Sequence, residues 1–454
     1  MTRHVPALVV GGGISGLVCA YALRKAGIDA QLVEASPRPG GVINSVTRDG
    51  FLLELGPQSF SGTPALRELC VELGISKELL QAPPRAPRYV LIDGKLRRVP
   101  MSPPAFFMSS LIDGSAKWAL VRDILWKSIP PDGDESVAAF VRRKFSAQLL
   151  DRLVGPFVSG IYAGDPERLS VRSAFPQLYE AEKAEGSVVR GMMRLAKAKK
   201  GPRERPTLLA FREGNETLVR ALTNNLGPAL LTETSVTGIS RQNDGSFAIR
   251  LQSHGQDEPV SASSLILATP TDVTGALLSR LDSSFETLFN SIDYAAVAVV
   301  SLGYPKKDVG HSMDGFGFLV PRSAGLRVLG SVWNSSLFPG RAPEGHALLT
   351  SFVGGVTDSA AATLEPQELV SLVHREISPV LSVKSAPIFS NITVWPRALP
   401  QYNLGHGDRL ARIEQLRAQF PGLWLAGNYL RGPAIGSCVD QALAVAEEVR
   451  ARRP

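Results

Sequence analysis

A mixed α/β and α+β chain is predicted by three features of the sequence. Its composition is that of a soluble globular protein, 44% hydrophobic and 20% charged over 454 residues. Its N terminus reads strand, glycine turn, helix, strand, and a second strand, loop and helix stand near its C terminus. The composition supports a large buried core and excludes disordered and fibrous classes. A chain of this length usually folds as two or three domains, and insertion of one within another makes the pieces discontinuous. Such an insertion is expected here.

The N-terminal unit contains "LVVGGGISGLVCAYALRKAGIDAQLVEA", beginning at Leu8. Val5 to Val10 form an apolar, valine-rich run of the kind found in buried parallel strands. Gly11, Gly13 and Gly16 follow in G-x-G-x-x-G spacing, with Ile14 and Ser15 opening a helix. Gly11 permits the tight turn, Gly13 lets a pyrophosphate approach the backbone, and Gly16 lets helix and strand pack closely. The helix runs to Ala26 and ends at Gly27, and its N-terminal amides present partial positive charge to the phosphates. Ala30 to Val33 form the next strand. Glu34 ends it, close to the offset of about 20 residues at which a carboxylate meets ribose hydroxyls. A secretory signal is disfavoured because the apolar run passes into the charged, helix-patterned "RKAG". A membrane span is disfavoured because three consecutive glycines break a run already short of the roughly 20 residues required.

Other chemistries find little support. Cys19, Cys70 and Cys438 are odd in number and widely separated, so neither a disulfide framework nor a paired-ligand zinc site is expected, and a reducing cytoplasm fits. His4, His254, His311, His346, His374 and His406 show no helical metal-site spacing, so metal catalysis is not expected. The net charge of +7 suits an anionic surface, a nucleic acid or an acidic small molecule equally. The densest basic stretch, "RLAKAKKGPRERP" from Arg194, reads as a solvated loop, and without interleaved aromatic residues it gives no support for nucleic-acid binding.

FAD and NAD both use the N-terminal unit, and the following residues choose between them. Glu34, Arg38, Gly40 and Gly41, with Ala35 beside the acid, resemble the E-x-x-x-R-x-G-G extension of FAD enzymes in the amine oxidase superfamily. That superfamily places a second cofactor segment near the C terminus. "GLWLAGNYLRGPAIGSCVDQALAVAEEV" is similar to it, with a strand over Leu423 to Ala426, Gly427 and Asn428 in the loop, and a helix from Ile435 and Gly436. The start of this helix would stabilise negative charge on a reduced flavin.

Several separated segments then resemble the oxygen-dependent protoporphyrinogen oxidase family: "GGGISGL", "LGPQSF", "RYVLIDGKLRRVP", "VSGIYAGDPERLSVRSAFP", "GFGFLVP", "FVGG", "PQYNLGH" and "LAGNY". They run from the first strand to the last helix; "SGIYAGDPERLS" and "PQYNLGH" are the most family-specific. The resemblance implies a discontinuous Rossmann-type FAD-binding domain (1–85, 207–272 and 408–454), a mixed-sheet substrate domain (86–100 and 273–407) and a helical, membrane-associating insertion (101–206). In that insertion Phe106, Phe107, Met108 and Trp126 follow the basic residues Lys95, Arg97 and Arg98, a pattern suited to peripheral attachment at an anionic membrane surface. The expected location is the cytoplasm, at the inner face of the cell membrane.

The resemblance also implies roles for individual residues. Arg88 is expected to hold a substrate propionate, a task suited to a permanently charged guanidinium that binds carboxylates bidentately. Gly160 would leave room for the macrocycle, and Phe316, Leu319 and Phe352 would sandwich it. Non-covalent FAD would be contacted further by Gly56, Pro57, Gln58 and Ser59, by the Val236 backbone at the adenine, by Trp395 and Tyr402 along the flavin, and by the C-terminal segment. Two departures stand out: Asn215 replaces the second glycine of an F-x-G-G pattern, and Gln58 stands where relatives commonly carry asparagine.

No residue is expected to act as a catalytic acid or base, since FAD carries the redox chemistry. The implied reaction is oxidation of protoporphyrinogen IX to protoporphyrin IX in three two-electron steps, each with dioxygen as acceptor. The alternatives are a coproporphyrinogen III oxidase of the same family, a monoamine or carotenoid oxidoreductase, and a non-enzymatic binding protein resembling Rab GDP-dissociation inhibitors. Homodimer formation is compatible with each of them.

Overall fold

A computed structural model describes residues 3–198 and 207–452. Strand Arg3–Val10 leads into helix Ile14–Lys25 and strand Ala30–Val33, with Gly27 in the left-handed conformation at the helix end. These strands enter a seven-stranded sheet ordered Leu230–Leu231, Ala30–Val33, Arg3–Val10, Gln256–Leu267, Phe247–Ser253 and Thr234–Arg241, with Leu423–Leu425 paired to Gln256–Leu267. The pairs of Arg3–Val10 with its two neighbours are parallel, and so is the pairing of the C-terminal strand. Three well-separated stretches of chain therefore meet in one sheet. Helices Ile14–Lys25, Glu216–Leu226 and Ile435–Ala451 contribute Leu17, Leu222 and Val439 to the core beneath it.

The second sheet also has seven strands, ordered Phe389–Pro400, Tyr294–Pro305, His346–Gly354, Val328–Val332, Gly317–Leu319, Arg88–Ile92 and Lys95–Arg98. It is antiparallel except where Gly317–Leu319 runs parallel to Arg88–Ile92. One face packs on helix Pro366–Leu381 through Val300, Leu302, Leu349 and Leu372. Alternation of side chains sends Val299, Phe352, Leu319 and Val90 to the other face.

Residues between Pro103 and Ala198 form a helical unit around Phe140, Val158, Tyr162 and Leu169. A buried ionic cluster clamps it: Lys144 Nζ lies 2.5 Å from Asp123 and 3.3 Å from Glu182, and Arg143 bridges Glu182 and Glu135. Asp123 also accepts hydrogen bonds from Ser187 Oγ and the Val189 amide, fixing the start of helix Val188–Ala198. The sequence expectation of a loop from Arg194 is corrected in part. Residues 194–198 complete that helix as an exposed last turn, solvated as expected but helical, and the rest of the basic stretch lies outside the described residues. Among the described residues, no helix is long and apolar enough to cross a membrane.

Candidate active site

The N-terminal glycines shape a cradle. Gly11 has φ +104°, and a Cβ there would come within 2.8 Å of the Ala268 carbonyl oxygen. A Cβ on Gly16 would overlap the Gly11 carbonyl oxygen, so only glycine brings helix and strand this close. Gly13, by contrast, faces open space, with nothing within 4 Å of an added Cβ. Gly41 stands across from it and would meet only Gly13 Cα, at 3.5 Å. Gly13 caps helix Ile14–Lys25 and has no side chain to occupy the first-turn amides. An open, glycine-lined gap at a helix N terminus fits a diphosphate.

Glu34 and Arg38 hold this cradle in shape. Glu34 Oε2 accepts from the Gly12 amide at 2.6 Å, and Oε1 accepts from the Ser36 amide and hydroxyl. Arg38 donates to the carbonyls of Gly41 at 2.6 Å and Ile43 at 2.9 Å, so the guanidinium braces the second glycine turn. Ala35 follows Glu34, and the Thr234 amide donates to the Glu34 carbonyl, bringing the strand that carries Val236 alongside.

The Gly56–Ser59 segment rests on a buried polar hub absent from the sequence reading. Gln58 donates to the carbonyls of Glu54 and Gly56, both at 2.9 Å, and accepts from Asn334 at 2.6 Å. Its amide is thus consumed in tying the Glu54–Gly56 segment to helix Asn334–Leu337. Asn215 donates to the Pro57 carbonyl at 2.8 Å, and its amide donates to Glu54. Asn215 has φ −66°, a conformation that needs no glycine, and its side chain ties down the turn that the departure brought into question. Glu54 and Arg341, both fully buried, pair at 3.2 Å. Burial outweighs this partner and the Ser45 hydrogen bond, pushing the Glu54 carboxyl up to about 7. A lone acid in the apolar run "FLLELGP" was the available sequence signal for this hub.

At the C-terminal segment, the Gly427 amide donates to Gln441 at 3.2 Å, and Asn428–Arg431 form a short turn. Helix Ile435–Ala451 follows behind Ala434, which offers no polar cap. A Cβ on Gly436 would meet Thr63 Cγ2 at 2.7 Å and the Ser61 carbonyl at 2.9 Å, so this helix start sits close against the strand Phe60–Ser61 beyond Ser59. Both glycine-framed helix starts carry free amides suited to the FAD diphosphate and flavin.

The second sheet supplies an apolar floor, in which Val299 and Val90 are buried. One row crosses it from Thr393 through Val299, Phe352, Gly330, Leu319 and Val90 to Arg97. Trp395 shares the Thr393 side and donates from Nε1 to the Leu55 carbonyl at 2.7 Å, next to Gly56. Arg88 shares the Val90 side at the far end, and its guanidinium lies over the Phe316 ring, 5.6 Å from the centroid. Five strand spacings separate the Trp395 and Arg88 strands, about 24 Å. Among the described residues no carboxylate pairs with Arg88. Close packing lowers its pKa, yet a guanidinium starts high enough to stay charged at neutral pH. Helix Gly155–Tyr162 covers Leu319, and Gly160 is its point of closest approach. Tyr402 lies apart from this floor in the helical core, where its hydroxyl bonds to the C-terminal loop. No group of three or more metal-ligating side chains gathers among the described residues.

Residues 14–450 match the flavin containing amine oxidoreductase family. The chloroplastic protoporphyrinogen oxidase of Oryza sativa subsp. japonica is 36% identical, over 97% of this chain and 87% of that protein. The coproporphyrinogen III oxidase of Staphylococcus aureus is 30% identical, over 99% of each. Among solved structures, an Exiguobacterium protein superposes with a TM-score of 0.82 at 25% identity over the full length of both chains. A putrescine oxidase shares the fold, with a TM-score of 0.74 at 19% identity. The chain belongs to the flavin containing amine oxidoreductase family and is an FAD-dependent oxidoreductase of its porphyrinogen oxidase branch.

Proposed function

We propose that this protein oxidises protoporphyrinogen IX to protoporphyrin IX in three two-electron steps, consuming three dioxygen and releasing three hydrogen peroxide. The observation that carries this reading is the polarity of one face of the second sheet. That face is apolar through Val299, Phe352, Leu319 and Val90, while Arg88, with no carboxylate partner among the described residues, stands at one end. A macrocycle with carboxylates on one edge and apolar substituents on the other matches that asymmetry. Named relatives with full-length similarity add support.

Bound FAD supplies the two-electron acceptor and is restored by dioxygen. The chain's own residues bind and orient. Arg88 anchors a propionate, Phe316, Leu319 and Phe352 enclose the rings, and Gly160, by lacking a side chain, keeps Leu319 from being pushed into the substrate's space. The cofactor contacts are Gly11, Gly13, Ile14, Ser15, Gly16, Glu34, Ala35, Arg38, Gly40, Gly41, Gly56–Ser59, Val236, Trp395, Gly427, Asn428, Ile435 and Gly436, with Tyr402 behind them. In this reading 1–85, 207–272 and 408–454 form the FAD-binding part, 86–100 and 273–407 the substrate part, and 101–206 a helical part that rests on an anionic membrane surface at the cytoplasmic face. Met108, Trp118, Trp126 and Ile129 are 86%, 57%, 56% and 91% exposed there, beside exposed Arg122 and Lys127.

The second reading, coproporphyrinogen III oxidation, draws on bacterial relatives of that name. Aerobic assays with both porphyrinogens decide between them. Faster turnover of protoporphyrinogen IX, with about three hydrogen peroxide per porphyrin, is the expected result. Preference for coproporphyrinogen III selects the second reading, and a stoichiometry near one overturns the three-step scheme.

A further inference from the structure

The two most distinctive motifs, "SGIYAGDPERLS" and "PQYNLGH", are bonded to each other. Leu169 and Asn403 form an antiparallel bridge, the Ser170 amide donates to the Tyr402 carbonyl at 2.8 Å, and the Leu404 amide donates to the Arg168 carbonyl at 2.9 Å. Gln401 donates to the carbonyl of Tyr162, the last residue of helix Gly155–Tyr162, at 2.8 Å. The Tyr162 and Tyr402 rings lie 5.7 Å apart. This joint belongs neither to the apolar floor of the second sheet nor to the glycine cradle.

From the joint, two side chains reach the C-terminal cofactor loop. The Tyr402 hydroxyl donates to the Asn428 carbonyl and accepts from the Gly432 amide at 2.7 Å. His406 stacks on the Tyr402 ring, with centroids 4.4 Å apart and planes 10° from parallel. Its Nε2 lies 3.0 Å from the Tyr429 carbonyl and must therefore donate, which makes Nδ1 the unprotonated nitrogen. Nδ1 is buried without a hydrogen-bond partner among the described residues. Two stacked rings thus hold three points, Asn428, Tyr429 and Gly432, of a loop bounded by Gly427 and Gly432, both at positive φ.

We propose that Tyr402 and His406 are a positioning pair that fixes the 427–434 loop, and through it the start of helix Ile435–Ala451, against bound FAD. The pair acts on the cofactor through the loop backbone, with Tyr402 as the tether and His406 as its support. The FAD in this proposal rests on family membership and does not depend on which porphyrinogen is the substrate.

The test uses purified holoenzyme and FAD itself as the probe. Flavin release on dilution, the visible flavin spectrum and the flavin midpoint potential are measured for the parent protein, Tyr402→Phe and His406→Gln. Tyr402→Phe removes both loop bonds and keeps the ring; FAD affinity is expected to fall about tenfold or more, the scale of a lost hydrogen bond, with a shifted spectrum. His406→Gln keeps a donor for Tyr429 and loses the stack; a smaller shift in the same direction is expected. A reduced melting temperature with flavin affinity, spectrum and potential all unchanged overturns the proposal. If Tyr402→Phe fails to fold, His406→Gln alone decides by the same readouts. No porphyrinogen is added, so an error in the substrate assignment shows only in the turnover assays.

Discussion

Gly160 lies against Leu319: a Cβ at position 160 would stand 2.5 Å from the Leu319 Cδ2 atom. Helix and sheet therefore meet across a gap that a single methyl group would fill. The contacted atom is the far end of a flexible side chain, so relief by rotation of Leu319 costs little backbone strain.

Gly160→Ala accordingly separates folding from binding. Alanine favours a helix over glycine by about 1 kcal/mol, so the melting temperature should hold or rise. The displaced Leu319 intrudes on the proposed substrate space, and the KM for porphyrinogen should rise several-fold with FAD content unchanged. Steady-state kinetics beside flavin absorbance check this; an unaltered KM removes Gly160 from that space.

Arg88→Ala should weaken substrate binding by about 1.5 to 3 kcal/mol, the worth of a hydrogen bond to a charged group. Arg88→Lys should recover only part of the loss, because an ammonium cannot reproduce bidentate geometry. Unchanged kcat/KM in both variants would detach Arg88 from the carboxylate.

Gly16→Ala should abolish FAD retention, because its Cβ would overlap the Gly11 carbonyl oxygen and backbone cannot yield as a side chain can. A colourless purified protein is the expected result, and a yellow one with normal flavin content contradicts the cradle.

His406 gives a pH dependence of definite sign. Burial lowers its pKa to about 4, with Arg409 adding to the fall and Asp134 and the Tyr429 carbonyl opposing it. The unfolded chain then binds more protons than the folded one between pH 4 and the ordinary histidine value near 6.5, so stability rises with pH through that window. Acidification from pH 7 to pH 4 should remove about 3 kcal/mol through this group. Urea unfolding of the parent and His406→Gln across this range should show the difference narrowing as pH falls.

Lys144→Met should destabilise the helical unit by about 3 to 5 kcal/mol, since Asp123, fully buried and 2.5 Å away, loses its counter-charge. Adding Asp123→Asn should recover part of that loss. Thermal unfolding of the single and double variants measures the coupling.

The sequence by itself determined the cofactor unit, because its signals are local. Strand Ala30–Val33 fell where read, and the helix after Gly13 ended within a residue of expectation, since valine runs, glycine spacing and a left-handed cap act over a few residues. It also carried the family, through motifs that needed no geometry to be recognised. Residues 194–198 were misread because charge and nearby glycine suggested a loop, while Asp123 and Ser187, unseen in that local window, anchor the helix start. Tertiary structure alone decided that Glu54 meets Arg341, that Gln58 spans to Asn334, and that Tyr402 and His406 reach the Asn428–Gly432 turn. These partners lie from 23 to nearly 300 residues apart. Buried polar atoms must find partners wherever the packed chain brings them, and no local pattern of residues encodes that meeting.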